Sequence, residues 1–267
     1  MRAILALAAL GATIAAWGSA HFRAGIVEDD AALEARRAAV REGFRKDPVW
    51  PEDEERTVDL LVGTRLESIG YRLRRSSPKL ASALERRLLA RPDDATARLV
   101  LIGYYSPFGS ERDRRDHDRH ARWVLEHYPG GEFSMIPGAL IQPGTAGAAA
   151  ALAFWREQAR LHPTDPEILG NAAEYSDSQD RAFSARLFER AIALEPRRCR
   201  WRYEAGLFYS RWAGRERPPR AAALFRLAAA HLRVALALLD EKGVAASPYY
   251  RADIAEPARL AARAGRS

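Results

Sequence analysis

The chain has 267 residues, 48% of them hydrophobic and 29% charged, with a net charge of +7 and one cysteine. That is the composition of a folded globular chain; it excludes a disordered or fibrous one, and Cys199 alone excludes an intramolecular disulfide. The basic balance favours acidic partners, anionic lipid or nucleic acid, yet the charge is spread along the chain and only Lys46, Lys79 and Lys242 are lysines, so it reads as a solvated Arg/Glu helical surface.

Residues 1–20 read as a targeting segment. Arg2 is a short basic start, Ala3 to Trp17 is an uncharged apolar run, and Gly18-Ser19-Ala20 offers small residues at cleavage spacing. The run from Ala3 to Ala20 is also just long enough to span a bilayer, so two readings stand: a cleaved signal peptide or an uncleaved anchor. Both place the body outside the cytoplasm, as a periplasmic or secreted protein of bacterial type or one held at the membrane. Everything after residue 20 reads as too polar for a second spanning helix.

Residues 21–77 form an N-terminal helical region. Apolar positions from Glu28 to Phe44 follow a helical spacing, Pro48 and Pro51 break it, and Glu52 to Glu55 supply acids for the next helix start, which runs to about Leu73. From residue 78 the pattern becomes periodic. Ser77-Pro78 opens a helix that ends before Pro92. Asp93 or Asp94 caps one through Tyr104, Ser106–Ser110 is a turn, and a charged helix runs from Glu111 to Tyr128. Between Gly130 and Gly147 the density of Gly and Pro leaves room only for a short or irregular segment. Helices then follow at Ala148–Leu161, Asp165–Tyr175, Arg181–Leu194, Trp201–Trp212 and Arg220–Leu239, with a capping helix towards Ala264. No alternation of strand type persists, so the chain reads as all-α.

Pro92, Pro129, Pro163 and Pro196 each close an apolar helical run, at separations of 37, 34 and 33 residues. A period near 34 is that of stacked helical hairpins. The best unit runs from Asp165 to about Arg198: Ile168, Ala172 and Tyr175 in its first helix, Ser184, Phe188 and Ala191 in its second, then Pro196. Small residues at 172, 184 and 191 let the two helices approach, and the larger ones fill the gaps between turns. This pattern resembles the tetratricopeptide repeat. The likeness spans about residues 78–240, with one good unit and three degenerate ones; Gly206 and Tyr209 match the next first helix, Ala151 and Trp155 the preceding second helix, and Arg87 and Gln158 stand where the family prefers a small residue. It implies a right-handed solenoid of helix-turn-helix hairpins over residues 78–267, ending in the capping helix.

The resemblance also implies a role. First helices of that family line a concave groove that binds an extended peptide or a helix. Carried over, the groove includes Tyr104, Leu169, Ala173, Asp177, Tyr203, Leu207 and Arg211, with Asn171 and Arg200 as candidate holders of a peptide backbone or carboxylate. The expected function is thus a non-catalytic interaction scaffold of the cell envelope, binding a protein or peptide segment, with arginines favouring an acidic one. Alternatives are a membrane-anchored assembly factor, or an envelope enzyme with its site near residues 130–147.

Other chemistry is weaker. His117 and His120, with Asp116, have ligand-like spacing, but Arg114, Arg115, Arg119 and Arg122 surround them, so they read as a solvated, ion-paired helix face. Cys199 reads as an inert thiol at a helix start, though its arginine neighbours would suit a reactive one. No nucleophile elbow, phosphate loop, dinucleotide fingerprint or zinc-protease motif occurs, and no metal, cofactor or nucleic acid is expected. Membrane contact is expected only through residues 1–20.

Overall fold

The computed structural model describes residues 54–77, 79–105, 107–136, 138–141 and 146–242, together with Ala38, residues 255–257, 259 and 260. The chain divides into two units, Met1–Ala39 and Val40–Ser267, and every described residue except Ala38 belongs to the second. The expected targeting segment and the helix at Glu28–Phe44 lie outside the described residues, apart from helical Ala38. Most of the C-terminal capping helix lies outside them too, although its residues 255–257, 259 and 260 are helical.

The described residues are helical, with no strand among them. In chain order the helices are α1 (Glu54–Ser76), α2 (Leu80–Ala90), α3 (Ala95–Tyr104), α4 (Glu111–His127), a 3-10 turn (Glu132–Met135), α5 (Ala146–Leu161), α6 (Pro166–Ser176), α7 (Arg181–Leu194), α8 (Cys199–Ala213) and α9 (Arg220–Glu241). Most starts follow from local chemistry. Asp94, Asp165 and Asp180 each accept a backbone N–H of the first turn, and Ser110 and Asp113 form a reciprocal capping box. Pro166 fills the first helical position of α6, where no N–H is needed. One expected start is corrected: α2 begins after Lys79 with no side-chain cap, not at a Ser77 cap.

Helices pack chiefly on near neighbours in sequence: α1 on α3, α3 on α2 and α4, α5 on α6, α6 on α7, α7 on α8, and α8 on α9, with α6 also meeting α8. The 3-10 turn stands where the repeat period expects a first helix, and it touches α1, α4 and α6. Its segment is built like core: Phe133, Met135, Ile136, Ala139 and Ile141 are all buried. Asn171 and Tyr175, one turn apart on α6, hold this segment. Asn171 Nδ2 donates to Pro129 O at 2.9 Å, and Tyr175 OH donates to Ile141 O at 3.2 Å.

Because α1 carries its buried face (Val62, Leu66, Ile69) against α3, it is continuous with the body that begins at α2. The two helices cross through glycine. A Cβ on Gly103 would lie 1.8 Å from Glu67 O, and one on Gly70 would lie 1.9 Å from Val100 O, so backbone meets backbone at that point. Elsewhere large rings fill the interior, with Trp155, Phe188, Trp201 and Phe208 at most 1% exposed. Arg87, where the repeat pattern prefers a small residue, is neutralised by an ion pair with Asp94.

One expectation about membrane spans fails. Helix α9 is long and apolar enough to cross a membrane by length and composition alone; half of its most apolar stretch is buried inside the fold, where it packs on α8. That is the character of a core helix, with Ala222, Phe225, Ala228, Leu232 and Ala235 turned inward.

Candidate functional site

Helices α6 and α8 carry side chains at helical spacing along the sides where they meet: Glu167, Asn171 and Glu174 on α6 with Asp177 at its C-cap, and Arg200, Glu204, apolar Leu207 and Arg211 on α8. Ion pairs fix the register. Arg200 lies 3.9 Å from Glu167, and Arg211 Nε donates to Asp177 Oδ2 at 2.7 Å. The offsets are 33 and 34 residues, one repeat period, so the two helices run in the same direction, one period out of step. Arg200 is anchored further by the 3-10 turn, donating to Glu132 Oε1 at 2.6 Å, with both side chains under a tenth exposed. Arg198 closes this end with bonds to Glu167 at 2.5 Å and Glu195 at 2.8 Å.

Between these two ends lie Glu174 and Glu204, both half-buried. In this register Glu174 falls opposite Leu207 and Glu204 opposite Asn171, so the carboxyls lie diagonally across the seam. Burial is the chief cause that pushes both carboxyls up, Glu174 to about 8, and their mutual repulsion adds to the shift of Glu174. Arg200 and Arg211 pull the other way, but each is hydrogen-bonded elsewhere, to Glu132 and to Asp177. Acceptors outnumber donors here in a second sense. Asn171 is fully buried, its Nδ2 is turned to the Pro129 carbonyl, and its Oδ1 has no partner among the described residues; Asp177 Oδ1 also has none.

Of the groove positions expected from sequence, Leu169, Ala173, Asn171 and Arg200 are buried, and Tyr203 is 9% exposed. Asn171 and Arg200 are bonded to the irregular segment through Pro129 and Glu132, while Tyr203 packs into the core between α8 and α9. Tyr104, Asp177 and Leu207 are half-buried and Arg211 is exposed, so these four retain surface. Both arginines assigned to an acidic ligand are already paired with carboxylates of the fold. Glu132, Glu174 and Glu204 were not among the expected residues. Glu174 and Glu204 had a legible signal, three residues before Asp177 and four after Arg200; Glu132 had none, since it lies in the aperiodic stretch.

A second polar arrangement occurs twice. Glu85 Oε1 accepts from Tyr105 OH at 3.2 Å and lies 3.1 Å from His120 Nε2, while the Tyr105 and His120 rings stack 2° from parallel. Glu189 Oε1 accepts from Tyr209 OH at 3.1 Å and lies 3.2 Å from His231 Nε2, with those rings 10° from parallel. In both, the tyrosine follows the glutamate by 20 residues. Trp155 and Tyr175 hold the same spacing in the middle unit, their rings 6.0 Å apart. These are internal ties between one second helix and the next hairpin. The reading of His117 and His120 as a solvated face is thereby corrected: both are 1% exposed. Burial, the largest cause, pulls both imidazoles down, His120 to about 4, so His120 is neutral at physiological pH. Cys199 is a buried free thiol.

Among the described residues, no group of three or more His, Cys, Asp or Glu side chains is arranged to hold a metal ion. A surface cleft of about 530 Å³ is lined by Glu195, Pro196, Arg197, Arg198 and Lys242, at the α7–α8 junction and the end of α9; Glu174 and Glu204 are not part of it. No protein-family model, no curated protein and no solved structure matches this chain.

Proposed function

We propose that this protein is a non-catalytic interaction scaffold, a right-handed stack of tetratricopeptide-like hairpins that takes a peptide or protein segment along the face shared by α6 and α8. The observation that supports this reading is the one-period register of the two helices, set by the Arg200–Glu167 and Arg211–Asp177 pairs. It sets Leu207 and Arg211 of α8 beside Glu174 and Asp177 at the end of α6. Partly exposed Leu207 supplies apolar area, the usual source of affinity at such a face. The acidic preference expected of the ligand is not carried forward, because Arg200 and Arg211 are satisfied within the fold.

We extend the proposal to location: residues 1–20 send the body out of the cytoplasm, either as a cleaved leader or as an anchor. Intact-mass measurement of protein recovered from the envelope distinguishes the two, with loss of residues 1–20 expected for the leader.

Site-specific photo-crosslinking tests the face. A photoreactive side chain at Leu207 is expected to give protein adducts in envelope extract that one at exposed Arg190 does not. Identical adducts from both positions would count against α6–α8 as the binding face.

A further inference from the structure

Resting on the reading of α6 and α8 as a binding face, we infer that the group this face selects is a cation, the ammonium or guanidinium of a Lys or Arg side chain in an extended peptide, seated between Glu174 and Glu204 beside the buried Asn171 oxygen.

Charges pair unequally along this single seam. At one end Arg200 meets Glu132 and Glu167; at the other Arg211 meets Asp177. Both ends match a cation to a carboxylate. The middle, by the same register, brings together two carboxyls and an amide oxygen. Along the helix axis, Glu204 lies about 6 Å from Arg200 and about 10 Å from Arg211, at 1.5 Å of rise per residue.

Asn171 supplies an independent indication. A fully buried side-chain acceptor without a donor costs free energy, and this one lies across from Glu204. Asp177 Oδ1 adds a second acceptor of the same kind on the same stripe. An ammonium brings three N–H donors and no acceptor, and a guanidinium brings five, so either one corrects both the charge and the donor shortage. The groups facing the gap are Glu132, Glu167, Asp177, Arg200 and Arg211, and each of the two arginines already has its partner. Partly exposed Leu207 offers apolar surface for the methylene stem of such a side chain. The full chain carries +7, so the attraction belongs to this seam and not to the general field.

The test is selection of heptapeptides from a random phage-displayed library on the full chain at pH 7.5, followed by calorimetry with one selected peptide. Enrichment of Lys or Arg at one position is expected. So is a loss of affinity of tenfold or more when that residue becomes Ala, or when the protein carries E174Q/E204Q with its melting temperature kept. If the double variant does not fold, E174Q alone serves, with a several-fold loss expected. Selected peptides without a cation, or binding unaffected by the Glu substitutions, would overturn the inference. If such peptides still lose binding on Leu207→Glu, the face stands and only the cation falls. If no peptide is enriched, both fall.

Discussion

At Gly103 no side chain beyond hydrogen fits, because the obstacle is the carbonyl of Glu67 and not a side chain that can turn aside. Gly103→Ala is therefore expected to cost about 3 kcal/mol or more, the upper range for overpacking, since α1 must move away from α3. Urea denaturation measures it; a cost below about 1 kcal/mol would show that the crossing is looser than described. Charge acts at the same scale. The Glu174 carboxyl is held up at about 8 in the fold and returns towards its ordinary 4.5 in the unfolded chain. Between those values the folded state binds more protons, so stability falls as pH rises through the window and levels off above it. Glu174→Gln removes the effect. Its melting temperature is expected to exceed the wild type's by more at pH 8.5 than at pH 5, and an equal difference at both would disprove the shift. His120 works in the opposite sense. Its imidazole titrates near 4 in the fold against 6.5 when free, so the unfolded state binds more protons in that interval. Stability is then lost as pH falls from 6.5 towards 4, and His120→Gln is expected to flatten that acid limb in a melting series.

At the scale of elements, the unusual piece is the segment around the 3-10 turn, between α4 and α5. It contributes Phe133, Ile136 and Ile141 to the core, and through Glu132 it neutralises buried Arg200. Glu132→Ala leaves that guanidinium with one strong partner fewer inside the fold, a change expected to cost about 3–5 kcal/mol. Replacing both residues, as E132L/R200M, is expected to recover most of the loss by thermal melting. If single and double variants melted alike, the pair would not be what holds the turn to α8. How much of this was legible depends on where each signal resides. Helices α3, α4, α6 and α7 could be bounded because Asp94, Ser110, Asp165 and Asp180 announce their starts, and prolines follow the ends of α3, α4 and α7. Helix α2 could not be started correctly, since Lys79 carries no capping side chain. The aperiodicity of Gly130–Gly147 was visible, but its burial was not, because its fixing bonds come from Asn171 and Tyr175, some 34 to 42 residues on. The His120 environment was hidden for the same reason, its carboxylate partner lying 35 residues earlier on α2. A polar residue pattern on α4 cannot show that a neighbouring hairpin will cover it. The seam of Glu174 and Glu204 was half legible: spacing placed each on its stripe, while the facing of one acid to the other needed the register between helices.

At the scale of the whole molecule, no extensive packing among the described residues joins α1–α4 directly to α8–α9; the principal contacts run through the elements between them. Helices pack on near neighbours in the chain, and the described contacts fall into a sequence of hairpins instead of one central core. Stability in such a stack is close to a sum of unit and interface contributions, so damage at one end stays partly local. The 3-10 turn, only four residues long, stands between the two ends, and coupling across the middle is expected to be the weaker for it. A destabilising change at the α1–α3 crossing should then uncouple the ends. In Gly103→Ala, amide exchange is expected to lose protection over α1–α4 while α8 and α9, joined through Leu232 and Ala235 to Tyr203, keep theirs. The urea transition should broaden or divide in the same variant. A uniform loss of protection across all helices, with a single sharp transition, would mean that the irregular segment transmits strain as well as a full helix does, and that the chain folds as one cooperative body.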